Sequence, residues 1–584
     1  MLFFISSAQL SSNLRHSPIC AAEHKRLACV HRVMGNPGPA RKELMKGTSP
    51  DVEVHSSQEP WWRRGVIYQI YPRSFQDSNG DGIGDIRGII DRLDYLVWLG
   101  IDAVWISPIF FSPMADFGYD IADYRKIDPL FGTLTDFDQL IEAAHRRGIR
   151  ILLDYVPNHS SDRHQWFLEA RSSRDNPRRD FYIWRDAAPD GGPPNNWQSE
   201  FGGSAWELDA ATGQYYYHAF LKEQPDLNWR NPEVRREMYD VLRFWLDRGV
   251  DGFRVDVMWH LIKDAEFRDN PQNPDWTEDM PPHKSVLSIY SCDQEEVHDV
   301  VSEMRAVLDE YGGDRLLIGE IYLPIARLVA YYGRDLRGAH LPFNFRLIEA
   351  QWDARHIERQ IVEYEAALPE GGWPNWVLSN HDKPRIASRV GRDQARVAAM
   401  MLLTLRGTPT IYYGDEIGMN DAPIPPERVQ DPFELRVPGR GFGRDPQRTP
   451  MQWDNTVNAG FSTGSPWLPL APDKDSFNVE AERSDPHSML SLYRRLIAFR
   501  RENDALNLGR YASVEADSCV LAYLRETEND RYLIALNLGP EPAVLETPGQ
   551  CRIVISTEGK AEGEIVEEKL HLQGNEGVLA EMMS

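Results

Sequence analysis

The feature that most constrains this chain is a regular alternation of short apolar runs with stretches of helical spacing. The apolar runs lie at 66–72, 103–110, 150–159, 252–257, 316–322, 376–382 and 409–416. Helical spacing occurs between them, at 89–100, 137–148, 234–249 and 394–407. Short strands that are separated by helices predict a parallel sheet with both faces covered.

The number and length of these units indicate how the sheet closes. About eight strand–helix units over some 400 residues are typical of a (β/α)8 TIM barrel. The alternation stops over residues 160–229, which are rich in Asp, Pro, Gly and Trp, and then resumes. This interruption predicts a subdomain that is inserted after strand 3. Beyond a helical stretch at 488–501, β-like runs with turn signals between them predict a C-terminal antiparallel β-sandwich domain.

These changes in composition and periodicity give the expected domain boundaries. The barrel takes 61–159 and 230–504, the inserted subdomain takes 160–229, and the C-terminal β domain takes 505–584. Residues 1–60 are polar, rich in Ser, Pro and Arg, and lack periodicity, so we expect a disordered extension there. Met45 is a candidate for the true start.

Composition excludes some classes of partner. The formal net charge is −25, which argues against nucleic acid and anionic membranes because both require basic patches. No apolar run approaches the ~18 residues that cross a bilayer, and the N-terminus lacks the basic region of a secretory signal. We therefore expect a cytoplasmic protein, as a monomer or homodimer. The scattered cysteines, which indicate neither a disulfide framework nor a zinc site, are Cys20, Cys29, Cys292, Cys519 and Cys551.

Three of the apolar strands end in a carboxylate, namely Asp256, Glu320 and Asp382. Each one alone fits an ion-pair partner or a helix cap. Together they are expected at the C-terminal face of the barrel, where barrel active sites are built. Two carboxylates that face one site suit glycoside hydrolysis, in which one attacks the anomeric carbon and the other protonates the leaving oxygen. A separation of ~5–5.5 Å predicts retention of configuration, and ~6.5–9.5 Å predicts inversion.

The neighbouring residues fit this division of roles. Arg254 and Asp256 are two residues apart on one strand, so their side chains point to the same face and the guanidinium is expected to keep Asp256 ionised. Glu320 follows two apolar positions, a setting that is expected to raise its pKa. His159 and His381, which end other strands, are donors suited to sugar hydroxyls.

Five short motifs, in the same order along the chain, resemble those of the alpha-amylase family of glycoside hydrolases. Four of them are DYVPNH (154–159), GFRVD (252–256), IGEIY (318–322) and SNHD (379–382). The fifth, QPDLNW (224–229), resembles a region typical of the oligo-1,6-glucosidase and alpha-glucosidase branch. The resemblance covers nearly all of the chain after residue 60, and it implies an alpha-glucosidase that acts on small alpha-glucosides.

The resemblance also implies a role for each matching residue. Asp256 matches the nucleophile, Glu320 the general acid/base, and Asp382 the carboxylate that holds the sugar in the transition state. The implied sugar-binding positions are Asp116, Tyr119, His159, Phe220, Gln224, Arg254, His381 and Arg448. Asp120 and Asp154 match supporting structural positions. The resemblance further implies that Asp116 pairs with Arg448 and closes one end of the cleft, so that single glucose units are released from the non-reducing terminus.

A separate loop, DSNGDGIGD (77–85), follows the opening pattern of a calcium-binding loop. It is not an EF-hand, because a strand precedes it and its twelfth position is Gly88 instead of a bidentate Glu. The resemblance implies one structural divalent cation, calcium or else magnesium, and no organic cofactor. A hydrogen-bonded turn without metal is the alternative. The implied ligands are Asp77, Asn79, Asp81, Asp85 and the backbone carbonyl of Ile83.

The linkage and the fate of the intermediate stay open at this point. Val257, which follows the nucleophile position, accompanies alpha-1,6 preference in related enzymes, whereas the segment after it resembles broad-specificity alpha-glucosidases. Maltose and isomaltose are the expected substrates, with sucrose or trehalose as further candidates. One alternative is a strict oligo-1,6-glucosidase, and another is a transglycosidase such as a sucrose isomerase or trehalose synthase. A barrel that has lost catalysis and serves as a transporter subunit is disfavoured, because all three carboxylates are present.

Overall fold

The computed structural model describes residues 59–312 and 314–583. The predicted disordered extension, 1–60, lies outside the described residues except for Glu59 and Pro60. The alternative start at Met45 and the cysteines Cys20 and Cys29 lie outside them as well. Within the described part, Cys292, Cys519 and Cys551 are free thiols.

An eight-stranded parallel sheet forms the centre of the structure. Its strands, numbered along the chain, are β1 Ile67–Ile70, β2 Ala103–Ile106, β3 Arg150–Tyr155, β4 Gly252–Val255, β5 Leu316–Gly319, β6 Leu341–Pro342, β7 Asn375–Val377 and β8 Thr408–Tyr412. From β1 to β6 each strand pairs with the next along the chain, β7 pairs with β8, and β8 pairs with β1. A parallel bridge between Asn344 and Trp376 joins the two ends of the sheet. The sheet is therefore a closed (β/α)8 barrel, as predicted.

Alternation of side chains explains why the strands form two apolar layers. Ile67, Trp105 and Leu152 belong to a core cluster inside the barrel. Their strand neighbours Tyr68 and Val104 belong to a second cluster, which includes the buried sides of the helices. Because successive strand residues point to opposite faces, the apolar runs of the sequence supply both layers at once.

One strand was missed by the sequence analysis. Strand β6 has only two residues, Leu341 and Pro342, and it carries no apolar run long enough to register as a strand. The other predicted strands were too long at their C-terminal ends. For example, the predicted strand at 252–257 ends at Val255, and a turn follows at Val257. These overruns are the loops from which the functional site is built.

Long helices cover the barrel and begin at recognisable caps. The longer ones are Leu134–Arg146, Pro232–Leu246, Val297–Asp309, Ala354–Ala367, Arg392–Thr404 and Met489–Glu502. Thr133 and Asp136 form a reciprocal capping box at the start of the first of these. The predicted helix at 89–100 is two helices, Ile86–Asp91 and Leu93–Leu99, and it ends at Gly100 with a φ of 99°. Among the described residues, no helix combines the length and the apolar character needed to span a bilayer.

Two further β regions complete the predicted fold class. Between β3 and β4, the inserted segment carries a three-stranded antiparallel sheet of Trp184–Arg185, Trp206–Asp209 and Gln214–Tyr217. The C-terminal region has a six-stranded sheet and a separate two-stranded sheet, which share one apolar cluster. Their strands are Arg510–Val514, Val520–Glu526, Arg531–Asn537, Ala543–Glu546, Cys551–Ser556, Ile565–Val566, Lys569–Leu572 and Gly577–Met582. The exact domain boundaries stay a prediction.

Candidate active site

A single arginine joins the carboxylates at the ends of three neighbouring strands. Arg254 is fully buried, and its Nη1 lies 2.7 Å from Asp256 Oδ1 and 2.8 Å from Asp154 Oδ1. Its Nη2 lies 2.7 Å from Glu320 Oε2. The predicted nucleophile and the predicted acid/base therefore face the same guanidinium, as the strand alternation requires. Asp154 supports this arrangement from β3, in the structural role expected for it.

Burial and the shared guanidinium act in opposite directions on the protonation of these carboxyls. Burial raises the pKa of Asp256 well above its usual range, and Arg254 opposes the shift without cancelling it. Arg254 favours the ionised form of Asp256, in the direction predicted, but it is shared with Glu320 and Asp154, and the ionised state of Asp256 stays a prediction. Burial also raises the pKa of Glu320, and the charges of Asp382 and Asp154 raise it further, as expected for a general acid. Carboxyls that interact this closely take up and release protons as a unit.

The turn after the nucleophile position is strained and anchors the acid/base. Val257 has a φ of 36° and a ψ of 48°, a left-handed conformation that is unusual for a β-branched residue. Its backbone N–H donates to Glu320 Oε2 at 2.8 Å. Such strain costs about 1–3 kcal/mol and persists where surrounding contacts hold it. The strained turn thus fixes the distance between the ends of β4 and β5.

The third carboxylate, Asp382, lies between two arginines. Its Oδ1 accepts from Arg448 Nη2 at 2.9 Å and from Arg444 Nη1 at 3.2 Å, and its Oδ2 lies 3.2 Å from His381 Nε2. Burial opposes ionisation here, but His381 and the two arginines lower the pKa of Asp382 well below its usual value. Asp382 is therefore an ionised acceptor, which is the property needed to hold sugar hydroxyls.

Asp116 pairs with a different arginine from the one predicted. Asp116 Oδ1 accepts from Arg444 Nη2 at 2.6 Å, and Gln224 Nε2 lies 3.3 Å from the other oxygen of Asp116. The predicted pair of Asp116 with Arg448 is wrong. Arg448 is fully buried, donates through Nε to the carbonyl of His381 at 2.7 Å, and serves Asp382 instead. Asp431 holds Arg444 in place, with 2.7 Å between its Oδ1 and Arg444 Nε.

Tyr119 and His381 form a stacked pair at the base of the site. Their rings are 5.4 Å apart and almost parallel, and the Tyr119 hydroxyl lies 2.7 Å from His381 Nε2 and donates to Asp154 at 3.0 Å. Gln69 contacts the other ring nitrogen of His381 at 2.9 Å. Burial lowers the pKa of His381 well below its usual value. Tyr119 and His381 therefore present a fixed, flat surface at a position where the resemblance implies sugar binding.

His159 is positioned by a buried polar chain that the sequence analysis did not identify. Lys263 Nζ lies 2.5 Å from Asp226 Oδ2 and 2.7 Å from Asn158 Oδ1, and Asn158 Nδ2 lies 3.2 Å from His159 Nδ1. All of these side chains are buried. His159 Nε2 in turn lies 3.2 Å from Gln224, and Phe220 packs against the His159 ring at 5.1 Å. Lys263 had no recognisable signal, because its partners lie far away in the sequence.

These residues line one cavity of about 1080 Å³. Of the predicted site residues, the cavity walls contain Asp116, Tyr119, His159, Phe220, Gln224, Asp256, Glu320, His381 and Asp382. Arg254 and Arg448 lie behind the wall and act on the carboxylates from there. Arg444, Val257, Tyr322 and Phe345 also line the cavity and were not among the predicted binding residues. Asp120 lies outside it and accepts from Ser112 and two backbone amides, which is the supporting role expected for it.

Comparison with known proteins identifies this arrangement. The family model for the alpha-amylase catalytic domain matches residues 69–509, most of the chain. The chain belongs to the alpha-amylase family. It is therefore a glycoside hydrolase of that family, and the order of motifs along the barrel strands is explained by descent within it.

The relatives of this alpha-amylase family member span nearly its whole described length. An oligo-1,6-glucosidase of Heyndrickxia coagulans is 43% identical over 533 residues, which cover 84% of this chain and 94% of the relative. An alpha-glucosidase of Culex pipiens is 41% identical and covers 88% of this chain and 89% of the relative. The crystal structure of the alpha-glucosyl transfer enzyme XgtA superposes with a TM-score of 0.86 at 42% identity, over 90% of this chain and all of that one.

The loop predicted to hold a cation is a series of turns closed by side-chain oxygens. Asp77 Oδ1 accepts from the amides of Asn79 and Gly80, while Asn79 and Asp81 each accept from the amide two residues ahead. Asp85 caps the helix Ile86–Asp91. The donor set consists of hard oxygen ligands, which fits calcium or magnesium in chemistry. Within 59–312 and 314–583, however, no three His, Cys, Asp or Glu side chains converge as a metal cluster.

Proposed function

We propose that this alpha-amylase family member is an exo-acting, retaining alpha-glucosidase that releases glucose from the non-reducing end of short alpha-glucosides. The observation that carries the proposal is the Asp116–Arg444 pair at 2.6 Å, beside carboxylates that share Arg254. A cleft that is closed at one end accepts a chain terminus and excludes the interior of a polymer. Two carboxylates held by one guanidinium are close neighbours, which supports retention.

In the first step, ionised Asp256 attacks the anomeric carbon of the terminal glucosyl unit. Glu320 gives its proton to the glycosidic oxygen as the bond from that oxygen to the anomeric carbon breaks. The leaving alcohol departs, and the glucosyl unit is bound to Asp256 as an ester. Glu320 is then a carboxylate and is ready to act as a base.

In the second step, Glu320 takes a proton from water, and the water oxygen attacks the anomeric carbon. The ester bond to Asp256 breaks, and glucose leaves with its original configuration. Asp382 binds the sugar hydroxyls as an ionised acceptor throughout. Arg254 stabilises whichever of Asp256 and Glu320 is charged, which explains why it contacts both.

The test is glucose release from maltose, isomaltose, trehalose, sucrose and p-nitrophenyl alpha-glucoside. Free glucose as the main product from maltose or isomaltose supports the proposal. Its absence from the whole panel would overturn it. The same panel tests linkage preference. The strict alpha-1,6 alternative predicts that isomaltose is the one disaccharide of the panel that is hydrolysed. Val257, which lines the cavity next to Asp256, is the residue linked with that preference.

The second candidate is transfer to a sugar acceptor, by a transglycosidase of the same fold. It is favoured by the structural likeness to an enzyme that transfers alpha-glucosyl groups. Transfer uses the same first step, so the two activities differ only in whether water or a sugar hydroxyl resolves the intermediate. If isomers or oligosaccharides exceed free glucose in products from sucrose and maltose, transfer is the main activity.

We further propose one structural cation in the loop 77–85, calcium in preference to magnesium. Support comes from the oxygen ligands of Asp77, Asn79, Asp81, Asp85 and the Ile83 carbonyl. Such a cation would neutralise the loop and stabilise the turn that leads into the helix Ile86–Asp91. A cytoplasmic location and a monomeric or homodimeric state stay predictions, and small alpha-glucosides are the proposed partners.

A further inference from the structure

A buried amide on the first barrel strand contacts the active-site histidine from behind the cavity. Gln69 lies on β1 two residues after Ile67, so both side chains point into the barrel. Gln69 is fully buried and does not line the cavity. Its Nε2 lies 2.9 Å from His381 Nδ1 and 3.3 Å from Ser107 Oγ. The amide therefore reaches the site through His381 and not through contact with a sugar.

The orientation of the Gln69 amide makes it a donor to His381. Its NH2 group faces both His381 Nδ1 and the Ser107 hydroxyl, whereas Gln69 Oε1 is buried and makes no hydrogen bond within the described residues. The reverse orientation would leave two buried N–H donors without acceptors in place of one oxygen, which costs more. Because the amide N–H needs an acceptor, His381 Nδ1 carries a lone pair and not a hydrogen.

The other ring nitrogen of His381 faces an oxygen that accepts. Both oxygens of Asp154 have partners that can only donate, since Arg254 Nη1 lies 2.8 Å from Oδ1 and Trp105 Nε1 lies 3.2 Å from Oδ2. The Tyr119 hydroxyl therefore gives its hydrogen to Asp154 Oδ2 at 3.0 Å. Its oxygen is left to accept from His381 Nε2, which lies 2.7 Å away.

Asp382 supplies an independent reason for the same hydrogen position. Its ionised carboxylate lies 3.2 Å from His381 Nε2, so a lone pair on that nitrogen would be repelled and an N–H is attracted. Burial, which lowers the pKa of His381 well below its usual value, favours the neutral ring. The ring plane is fixed as well, because it lies within 4° of the Tyr119 plane and 21° of the Tyr71 plane.

We propose that Gln69 is a positioning residue, which holds His381 as a neutral imidazole with its hydrogen on Nε2. Without the amide donor, Nδ1 can take the hydrogen instead, or it can take a second one and form an imidazolium that neutralises Asp382. Either form changes the donor or the charge that meets the glucosyl unit. The effect on rate rests on the proposed glucosidase function, whereas the hydrogen position does not.

The hydrogen position is tested by neutron diffraction from deuterium-exchanged crystals of the wild-type protein at neutral pH. We expect deuterium on His381 Nε2, none on Nδ1, and the Gln69 amide deuterium directed at Nδ1. Deuterium on His381 Nδ1, with or without deuterium on Nε2, would overturn the inference. This measurement needs no variant, so it holds even where a replacement of Gln69 prevents folding.

A double-mutant cycle tests whether Gln69 acts through His381. The quantity measured is kcat/KM for p-nitrophenyl alpha-glucoside in wild type, Gln69→Leu, His381→Gln and the double variant. Loss of the hydrogen bond should lower kcat/KM at least about fivefold in the wild-type background. In the His381→Gln background the same replacement should cost less than about twofold, because the ring on which it acts is absent. Equal losses in both backgrounds, or no loss in wild type, would overturn the inference.

Asn375→Leu is the matched control, because Asn375 is another fully buried strand amide. It lies on β7, its Nδ2 donates to the Thr408 carbonyl at 3.1 Å, and its Oδ1 has no hydrogen bond within the described part of the chain. It does not line the cavity, so kcat/KM should stay close to the wild-type value. A loss as large as that in Gln69→Leu would assign the effect to damage of the barrel and overturn the inference.

Two further outcomes are separated by the same experiments. If Gln69→Leu does not fold, as judged by its melting curve, Gln69→Met takes its place in the cycle with the same expected losses. Failure of the proposed function is distinguishable, because wild type would then release no p-nitrophenol while the neutron measurement still locates the hydrogen on His381.

Discussion

Arg444 contacts Asp116 across 328 residues of sequence, with 2.6 Å between Nη2 and Oδ1. The same guanidinium lies 3.2 Å from Asp382 and 2.7 Å from Asp431. One side chain thus holds Asp116 in the cavity wall and also orients Asp382, a second carboxylate of that wall. Since a planar guanidinium offers several donors in a fixed geometry, it can serve all three carboxylates at once.

Replacement of Arg444 is expected to reduce turnover of terminal glucosides strongly. Arg444→Ala leaves Asp116 and Asp431 buried without this cation, a change that costs about 3–5 kcal/mol for buried pairs. We expect kcat/KM for maltose to fall by about 100-fold or more, and Arg444→Lys to restore little of it. Arg440→Ala is the control, because Arg440 is exposed in the same segment. A loss in Arg444→Ala no larger than in the control would contradict the role of the pair.

The alkaline limb of activity is expected to report Glu320. Glu320 must be protonated for the first step, so activity is lost as pH rises through its pKa. Because burial raises that pKa, the limb should lie above the usual carboxyl value of about 4.3. In Glu320→Gln, kcat/KM for maltose should fall about 10²–10⁴-fold, and the alkaline limb should disappear from the pH profile with an aryl glucoside. An alkaline limb that persists in Glu320→Gln would assign it to another group.

A buried carboxyl far from the cavity is expected to make stability depend on pH. Burial raises the pKa of Glu482 to about 8, and the charge of Glu416 adds to this shift. Between about pH 4.3 and 8 the folded chain therefore binds a proton that the unfolded chain has lost, so the free energy of unfolding falls as pH rises. Glu482→Gln removes this dependence and should raise the melting temperature at pH 8.5 more than at pH 5.5.

Glu480→Gln provides the control for that measurement, because Glu480 is exposed in the same helix, Val479–Ser484. Its melting temperature should follow wild type at both pH values. If Glu482→Gln and wild type differ equally at pH 5.5 and 8.5, Glu482 is not the group that is protonated in the folded state.

The proposed cation is expected to act on stability and not on chemistry. A ligand that binds the folded chain at 100 times its Kd adds about 2.7 kcal/mol to the free energy of unfolding. Calcium added to EDTA-treated protein should therefore raise the melting temperature, while kcat measured well below that temperature stays the same. Asp81→Ala should respond only at higher calcium concentrations. The control is Asp91→Ala, since Asp91 is exposed just beyond the loop. A melting temperature that does not respond to calcium or EDTA would favour the alternative, a turn without metal.

Much of the fold follows from local pattern, whereas the partners of charged groups do not. The strands that hold Asp256, Glu320 and Asp382 are apolar runs that alternate with helices, so the sequence placed these carboxylates at one face of a barrel. Arg444 and Arg448 are only four residues apart, and which of them reaches Asp116 depends on the path of a long loop. The charge on Asp256 depends on how Arg254 is shared with two other carboxylates, an arrangement that no local pattern contains.

Short elements and distant contacts were missed for related reasons. Strand β6 is stabilised by pairing with its neighbour β5 and by the bridge at Asn344, and its own two residues give no strand signal. Glu200 and His283 are 83 residues apart in the sequence and belong to no common motif, yet Glu200 Oε2 and His283 Nε2 lie 3.0 Å apart. Such relationships arise from tertiary packing and are visible only in the folded chain.

The most direct test of the mechanism is to trap the glucosyl-enzyme with a fluorinated alpha-glucosyl fluoride and to locate the adduct by peptide mass spectrometry. One glucosyl adduct per chain is expected on the peptide that contains Asp256, and none in Asp256→Asn. Alpha-glucose should be the first anomer seen by NMR during hydrolysis of maltose. An adduct on another residue, or beta-glucose as the first product, would contradict a retaining mechanism with Asp256 as the nucleophile.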